Sequence, residues 1–452
     1  MASEIVRDVL NNGRALRSIP TRQILSRIGT GIFGLLVAGL SVSGAVFRAS
    51  AVKMDITPDH TEWLMGYDAR QSTGVHDGIY HRIVAMDDGA TQFYIIASDL
   101  CLFSPSLYDQ VTENLKKELE IDPRNVWWSV THSHSTPEIG PPGIYKSLLG
   151  RSNHEWDRHY TNKVTSALLA GVREARSKLA PARIGFTTGI SMANINRRAK
   201  DANGHVSLGL NPDGPVDRQI GVIRLERPDG SPIAIIANYA MHGTVLSGAN
   251  LRISGDAPGI VAAYVEQKIG APMLYINGAA GNMAPIYSVY PDPQSGHLSQ
   301  FEVLLGNRIL TALHSMGPCT SDVKLGVGEK TIETPRRSGL EWPQELASYS
   351  RVDEGGVALV RLPVRFLRIG DTLIWSAPIE LFCEIELAVR HRSTFAYTFY
   401  FGYTGGWLGY LPTKQAFAEG GYEPKTSPFT EAAAEDLLKG VTVYIQGLSL
   451  HE

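Results

Sequence analysis

Apolar runs and polar breaks follow one another along this chain in a pattern that predicts alternating strands and helices. Runs rich in Val, Ile and aromatic residues, bounded by Gly, Pro, Asp or Asn, predict strands. Leucine and valine at helical spacing behind Ser104-Pro105 predict an amphipathic helix that begins there. The predicted strands lie near 51–58, 81–86, 92–98, 126–130, 182–186, 220–224, 233–239, 273–276, 358–367, 372–375 and 395–401, and further helices near 156–179, 260–269 and 301–315. This order predicts an α/β fold of mixed sheets flanked by helices.

The stretch from Val126 to Gly143 contains two histidines just after an apolar run. Prolines forbid the strand from continuing, so His132 and His134 are predicted where strand becomes loop. On an extended chain two residues at this spacing point to the same side. The pair also ends the second strand of a predicted βαβ unit, where open α/β sheets bind their ligands. Two neutral imidazoles placed so can hold a metal, or one can ligate while the other moves protons; a merely polar strand end is the alternative.

Two more polar residues occupy comparable positions. His242 follows the apolar run 233–239, and Glu380 stands in an apolar context at a predicted strand-to-helix junction. A lone carboxylate there needs a helix N-terminus, a cation or a metal. Gly278 to Gly281 allow a ligand to approach the backbone, although tight packing would also explain them.

Two polar or Gly-rich segments are predicted as loops. The segment Ala193–Arg198 is predicted as a long polar connection, and the stretch 405–423 as a Gly-rich loop that carries Tyr410 and Tyr422.

Composition limits the classes of function. The chain has 452 residues, 19% charged residues and a net charge of −3, so it lacks the basic surplus of a nucleic-acid-binding protein. Its three cysteines are far apart and form no CxxC motif, which argues against a disulfide framework and a thiolate zinc site. A metal here would be held by nitrogen and oxygen ligands.

The first fifty residues differ from the rest. Residues 28–47 are uncharged and follow five arginines, at positions 7, 14, 17, 22 and 27. This pattern predicts a secretory signal or membrane anchor within residues 1–50, followed by a folded domain over residues 51–452. The protein is then expected to be secreted, periplasmic or membrane-anchored facing outward, with membrane association through residues 28–47. A Gly-rich segment buried in the domain is the alternative.

Six motifs in order resemble those of the neutral/alkaline (non-lysosomal) ceramidase family, from about Ala51 to Tyr422. They are KMDITP with LMGY and GVH, then THSHS, NINRR, MHGT, APIELF and GYLPTKQAFAEGGYE. The resemblance implies a single catalytic domain of the family's α/β type that hydrolyses an amide bond in an N-acyl lipid, with ceramide as the first candidate. It also implies a short member without the family's C-terminal β-sandwich.

The resemblance implies roles for seven residues. The zinc ligands are His132, His242, Glu380 and Tyr410, and the residues that contact the substrate amide are His134, Arg197 and Tyr422. A single Zn²⁺ in this set would activate the water that attacks the amide carbonyl. The sequence departs from the family at Ala284 in GNMAP, where relatives carry a serine.

Three other functions remain open from the residues alone. The same chemistry would hydrolyse an ester or a non-lipid amide. A two-metal phosphoesterase is less well supported, because the sequence contains no GNH-[DE] segment and no early D-x-H. A non-catalytic binding protein that keeps the fold is the third alternative.

Overall fold

Three mixed β-sheets form the centre of the computed structural model, which describes residues 46–150, 154–286 and 297–449. In spatial order, the strands of the first sheet are Val126–Val130, Gln92–Ser98, Tyr80–Asp87, Arg48–Asp55 and Ala180–Pro181. Those of the second sheet are Met273–Asn277, Pro232–Tyr239, Gln219–Glu226 and Arg183–Ile190. Those of the third sheet are Leu325–Pro335, Ala358–Ile369, Thr372–Ser376 and Tyr397–Phe401, and Ser350–Val352 also pairs with Ala358–Ile369. The predicted mixed-sheet α/β fold is confirmed.

Each sheet is antiparallel except for one parallel pair of strands. These pairs are Gln92–Ser98 with Val126–Val130, Pro232–Tyr239 with Met273–Asn277, and Thr372–Ser376 with Tyr397–Phe401. The two strands of a parallel pair end at the same edge of their sheet, so each sheet presents one edge where two carboxyl ends lie side by side. His132, His242 and Glu380 each follow one of these ends, after Val126–Val130, Pro232–Tyr239 and Thr372–Ser376.

Short strands complete the region around the three sheets. They are Val206–Asn211, Asn194–Lys200 and Met283–Pro285 in one small sheet, and the pairs Gly74–Val75 with Arg252–Ile253, Trp63–Leu64 with Arg70–Gln71, and Glu380–Leu381 with Tyr410–Leu411. The prediction of a loop over Ala193–Arg198 is wrong, because Asn194–Lys200 is a strand. Its polar side chains are buried against polar and charged partners, so the burial of this strand leaves no apolar pattern in the sequence.

Helices cover the outer faces of the sheets. The α-helices are Pro105–Leu119, Ile144–Leu149, Arg158–Ser177, Asp256–Ile269, Leu298–Phe301, Asn307–His314, Cys383–Arg392, Lys414–Glu419, Tyr422–Lys425 and Ala433–Ser449, and short 3-10 turns span Pro123–Asn125 and Gln344–Tyr349. A π-helical turn at Glu302–Gly306 interrupts the helix predicted over 301–315. The last helix and the strand Leu325–Pro335 were not predicted.

The inner faces of the three sheets pack against one another. This shared core includes Val84, Phe93 and Trp127 from the first sheet, Ile223, Ile236 and Leu274 from the second, and Leu367, Ile374 and Phe399 from the third. Trp128 belongs instead to the core on the helix side of the first sheet. Both faces of the strand Val126–Val130 are therefore buried, which explains its almost uninterrupted run of apolar residues.

Residues 1–45, which include most of the predicted targeting segment 28–47, lie outside the described residues. Phe47, the last residue of that segment, is fully buried in the shared core, and its carbonyl oxygen accepts a hydrogen bond from the amide of Ala182. The first strand begins at Arg48. Over the ranges that the structure describes, every helix is too short or too polar to cross a bilayer.

Candidate active site

His132 follows the strand Val126–Val130, but not on an extended chain. Its φ is +64°, in the left-handed region that a non-glycine residue rarely adopts. The expectation that His132 and His134 share one side of an extended strand is therefore wrong; a turn brings their rings together. The Nδ1 atom of His132 lies 3.0 Å from the carbonyl oxygen of Cys101, which can only accept, so Nδ1 carries the proton.

His242 follows the strand Pro232–Tyr239 in the second sheet. Its Nδ1 donates to the carbonyl oxygen of Met283 at 2.9 Å, so its Nε2 is also unprotonated when the ring is neutral. The next residue, Gly243, allows the two histidine loops to meet, because a Cβ there would lie 2.7 Å from the Cα of Ser133. Backbone hydrogen bonds from Gly243 to His132 and from His134 to Gly243 join the loops.

Glu380 brings a carboxylate to the two histidines from the short strand Glu380–Leu381, which follows the third-sheet strand Thr372–Ser376. Its Oε2 lies 3.4 Å from Nε2 of His132 and 3.1 Å from Nε2 of His242. Tyr403 donates to Oε2 at 3.2 Å and Trp407 donates to Oε1 at 2.9 Å. Glu380 is 1% exposed, so these contacts replace the water that an ionised carboxylate requires.

These three side chains fit a zinc ion. Both rings are held through Nδ1–H to backbone carbonyls, which is the usual support of a metal-binding histidine, and both Nε2 atoms face the Glu380 carboxylate. Their ligand atoms all lie within 4.8 Å of one another. Ligands about 2.0–2.2 Å from a tetrahedral zinc lie roughly 3.3 Å apart, close to the separations from Glu380 to each ring.

The protonation of the two histidines differs although both face Glu380. Burial disfavours the charge on His132, but the Glu380 carboxylate outweighs it and raises the pKa of His132 to about 10. Burial, reinforced by the Arg197 guanidinium, lowers the pKa of His242 to about 3. Burial also opposes the charge on Glu380, yet His132 holds the Glu380 pKa well below its usual value. The cluster thus favours one positive charge beside the carboxylate, which a proton on His132 or a metal ion can supply.

His134 lies next to this cluster. Its Nε2 is 3.1 Å from Nε2 of His132, and its ring packs edge-on against Tyr67 at 4.9 Å between centroids. The backbone carbonyl of His134 accepts a hydrogen bond from Arg70. Burial and the neighbouring histidines hold the pKa of His134 well below its usual value, so the ring is neutral and can accept a proton.

Arg197 connects the histidines to the tyrosine segment. From the strand Asn194–Lys200 its NH1 approaches Nε2 of His242 at 2.9 Å, and its NH2 donates to the hydroxyl of Tyr410 at 3.1 Å. A metal ion on His242 would take the lone pair that faces NH1, so this donor would become available to another acceptor. Arg197 therefore lies beside the cluster of His132, His242 and Glu380, and its contact with a substrate amide stays a prediction.

Tyr410 and Tyr422 lie on the same side of the cluster. The strand residue Tyr410 pairs directly with Glu380, and burial together with that carboxylate raises the Tyr410 pKa well above 10. Tyr422 begins a short helix, and its ring meets that of Tyr410 at 5.7 Å and 73°. Burial and Glu380 also raise the pKa of Tyr422, so its phenol is a hydrogen-bond donor. It is partly exposed, which leaves it open to a ligand.

Glu423 holds Arg197 in place, and the sequence did not indicate it. Its carboxylate accepts from Nε of Arg197 at 3.0 Å and from NH1 of Arg198 at 2.7 Å, and it is 1% exposed. Glu423 is thus the buried counterion of two arginines.

Replacing Glu423 with glutamine should both destabilise the fold and misplace Arg197. We expect a loss of about 3–5 kcal/mol in the free energy of unfolding, because two buried guanidinium groups lose their counterion. Turnover should fall more than KM rises. Urea denaturation and steady-state kinetics measure the two effects. The matched control is Glu419→Gln, which removes a partly exposed partner of Arg198 and should change both quantities little.

Tyr403 and Trp407 were also missed. Their side chains hydrogen-bond to the Glu380 carboxylate, whereas Tyr410 pairs with Glu380 along the backbone of a short strand. The Tyr403 ring also stacks on His132 at 4.3 Å between centroids. Both follow the strand Tyr397–Phe401 in a Gly-rich turn, and Tyr403 has a φ of +55°. An aromatic residue in a Gly-rich segment directly after a buried strand is the signal that could have identified them.

Known proteins resemble this chain in sequence. The sequence model of the neutral/alkaline non-lysosomal ceramidases, N-terminal, matches residues 47–281, just over half of the chain. Neutral ceramidase B of Dictyostelium discoideum is 27% identical over 266 residues, covering 56% of this chain and 35% of that protein. The neutral ceramidase of Pseudomonas aeruginosa is 24% identical over 258 residues, covering 54% of this chain and 38% of that protein. The matched region spans little more than a third of these relatives.

The fold extends the likeness beyond the aligned region. The crystal structure of the Pseudomonas aeruginosa neutral ceramidase superposes with a TM-score of 0.72 at 19% identity, covering 89% of this chain and 75% of that chain. His132, His134, Arg197 and His242 lie inside the matched residues 47–281, whereas Glu380, Tyr410 and Tyr422 follow them. The matched sequence and the shared fold lead to one conclusion: this chain belongs to the neutral/alkaline non-lysosomal ceramidase family.

Proposed function

We propose that this protein is a zinc-dependent hydrolase of amide bonds, with ceramide or a related N-acyl lipid as its first candidate substrate. The observation that carries the proposal is the meeting of His132, His242 and Glu380, with both imidazoles oriented by backbone carbonyls. Family membership supports the choice of an amide as the bond to be cleaved.

A zinc ion held by these residues, with Tyr410 as the candidate fourth ligand, would activate water and polarise the substrate carbonyl. His134 is the neutral base beside that position, so it can accept the proton of the attacking water and return it to the leaving amine.

Two donors are available for the negative charge that develops on the carbonyl oxygen. NH1 of Arg197 faces the cluster from one side, and the phenol of Tyr422 lies beside Tyr410 on the same side. Donors aimed at a developing oxyanion contribute a large part of the rate in hydrolases of this kind. Ala284 supplies no hydroxyl to the site, so Arg197 and Tyr422 carry the contacts to the carbonyl oxygen that we propose.

The proposal is tested by assaying purified protein against matched N-acyl amides and esters, including ceramides of different acyl length, with and without a chelator. We expect amide hydrolysis that stops with the chelator and returns with zinc. Cleavage of esters alone would identify an esterase. Zinc binding without turnover of any substrate would support a non-catalytic binding protein, and turnover that survives complete metal removal would contradict the mechanism.

Tyr410 and Tyr422 should respond differently to the loss of their hydroxyls. Tyr410→Phe is expected to weaken zinc retention modestly, because three ligands remain. Tyr422→Phe should leave the zinc content unchanged and lower kcat. The expected loss of transition-state stabilisation is about 2–4 kcal/mol, the usual effect of removing one oxyanion donor. Metal analysis and kinetics on the two variants measure this. If both variants keep zinc and normal turnover, both tyrosines have a packing role.

We also propose that residues 28–45, the part of the predicted segment 28–47 that precedes the described chain, direct the protein to or across a membrane, with the catalytic domain on the outer side. The support is the uncharged run behind five arginines. A truncation should end at Ala45, because removing Phe47 would take a buried aromatic ring from the core, at about 3–5 kcal/mol. The shortened protein should stay folded and active while losing membrane association in cell fractionation. Unchanged fractionation would contradict this proposal.

A further inference from the structure

A second group of metal-binding side chains lies outside the candidate active site. His60, Glu62 and Asp157 each offer a ligand atom, and these atoms all lie within 4.8 Å of one another. Nε2 of His60 is 2.8 Å from Oε1 of Glu62 and 3.3 Å from Oδ2 of Asp157. The three residues come from two parts of the chain, the segment before the strand Trp63–Leu64 and the start of the helix Arg158–Ser177.

The histidine is oriented as a ligand. Asp59 lies 2.7 Å from Nδ1 of His60, so it holds the proton on that nitrogen and leaves Nε2 facing two carboxylates. Glu62 is 3% exposed, and its Oε1 has no partner with hydrogen-bond geometry among the described residues. The nitrogen nearest to this oxygen is Nε2 of His60, and when Nδ1 holds the ring proton, Nε2 offers a lone pair rather than a donor. A buried carboxylate oxygen in that position is costly unless a proton or a cation satisfies it.

The other oxygen of Asp157 has a separate role. Oδ1 accepts the amide hydrogen of Tyr160 at 2.8 Å and thereby caps the helix, while Oδ2 faces His60. Two carboxylates and the capped helix thus surround the imidazole. Lys163 is a nearby positive charge, but its ammonium group donates to the carbonyl oxygen of Thr57 at 2.7 Å. Three carboxylates, with Asp59 included, remain around His60.

From this geometry we propose that His60, Glu62 and Asp157 bind a divalent first-row transition-metal ion such as Mn²⁺ or Zn²⁺. One imidazole with two carboxylates suits these ions, whereas calcium and magnesium favour oxygen ligands alone. His60 is 39% exposed at its side chain, so the ion should exchange readily, in contrast to an ion at the buried cluster. This site does not depend on the proposed hydrolase function.

Backbone hydrogen bonds and close packing connect the His60–Glu62–Asp157 site to the candidate active site. The segment that follows Glu62 runs against the histidine loop: Trp63 accepts a hydrogen bond from Glu138, and the amide of Met65 donates to Thr136. A Cβ on Gly66 would lie 2.4 Å from the His134 ring, so this segment closes directly over that ring. A metal that ties residues 60–62 to the helix at Asp157 therefore fixes one wall of the His134 pocket.

The test measures Mn²⁺ binding to zinc-loaded protein by the EPR signal of free Mn²⁺. Wild type should bind one Mn²⁺ per chain without losing zinc. His60→Ala and Asp157→Asn should each weaken this binding by roughly 10-fold or more, at least the effect of disturbing a metal's outer shell. Asparagine still caps a helix, so the second variant should keep its fold.

The control is His159→Ala, since this exposed histidine lies 5.9 Å from His60 between ring centroids but outside the ligand set. It should bind Mn²⁺ as wild type does. Hydrogen exchange followed by mass spectrometry should show slower exchange in residues 62–66 with Mn²⁺ for wild type and not for Asp157→Asn. The proposal is overturned if millimolar Mn²⁺ stays free, if bound Mn²⁺ only replaces zinc, or if all three variants bind equally.

Discussion

His132→Ala and His242→Ala are each expected to lose both tightly bound zinc and activity. Each substitution leaves two of the three converging ligands and removes a ring that a backbone carbonyl holds in place. The fall in zinc affinity should exceed the roughly 10- to 100-fold that disturbing a ligand's outer-shell partner costs. Wild type should retain one zinc per chain after dialysis, and metal analysis of the dialysed proteins measures the difference.

The control for these variants is a buried histidine away from the cluster. His81 hydrogen-bonds to Ser98 and to the carbonyl oxygen of Val164, and it is fully buried in the first sheet. His81→Ala should lower the free energy of unfolding yet keep its zinc. If His132→Ala and His242→Ala also keep zinc at wild-type content, the proposed metal centre is wrong.

His134→Ala is expected to keep zinc and lose turnover by roughly 100-fold or more, the typical effect of removing a general base. The ring sits beside His132 without sharing the carbonyl support that holds the two ligands. His134→Gln restores a polar side chain without a basic nitrogen and should be as slow as the alanine variant. Recovery of the rate with glutamine would assign His134 a positioning role instead.

The pH profile of wild type gives a second measure of the role of His134. A base acts in its deprotonated form, so its contribution is lost as the pH falls through its pKa. Burial and the neighbouring histidines hold the His134 pKa well below the usual value for a histidine, about 6.5, and a divalent cation on His132 would act in the same direction. Protonation of His134 should therefore cause no loss of activity above pH 6.5. An acidic limb that falls above this pH and disappears in His134→Gln would contradict the depressed pKa.

Much of the site could be predicted because its residues interrupt apolar runs. His132 and His242 each follow a buried strand within three residues, and Glu380 stands at a strand-to-helix junction where a carboxylate is costly. Hydrophobic burial of a strand is visible in a single sequence, and so is the polar residue that ends it. The turn at His132 was not visible, because a left-handed φ depends on the contacts of its loop.

Other parts of the site depend on tertiary contacts that leave no local pattern. The strand that carries Arg197 has the sequence of a loop, because its buried side chains are charged and form ion pairs with Glu423 instead of apolar contacts. Tyr403 lies seven residues before Tyr410, just ahead of the Gly-rich stretch 405–423, and only the fold decides which phenol hydrogen-bonds to Glu380. Contacts between residues so far apart in the sequence cannot be predicted from a local sequence pattern.

The edges of three sheets meet where His132, His242 and Glu380 meet, and this has a thermodynamic consequence. An ion held there would join the loops that follow strands of the first and second sheets to the short strand Glu380–Leu381, so it would bind the folded chain and would have no comparable site in the unfolded one. Saturating zinc at about 1,000 times its Kd would raise the unfolding free energy by about 4 kcal/mol. Heating with excess chelator should therefore lower the Tm of wild type but hardly that of His132→Ala. Loss of the ion would then expose the protein to proteolysis and aggregation as well as stopping turnover.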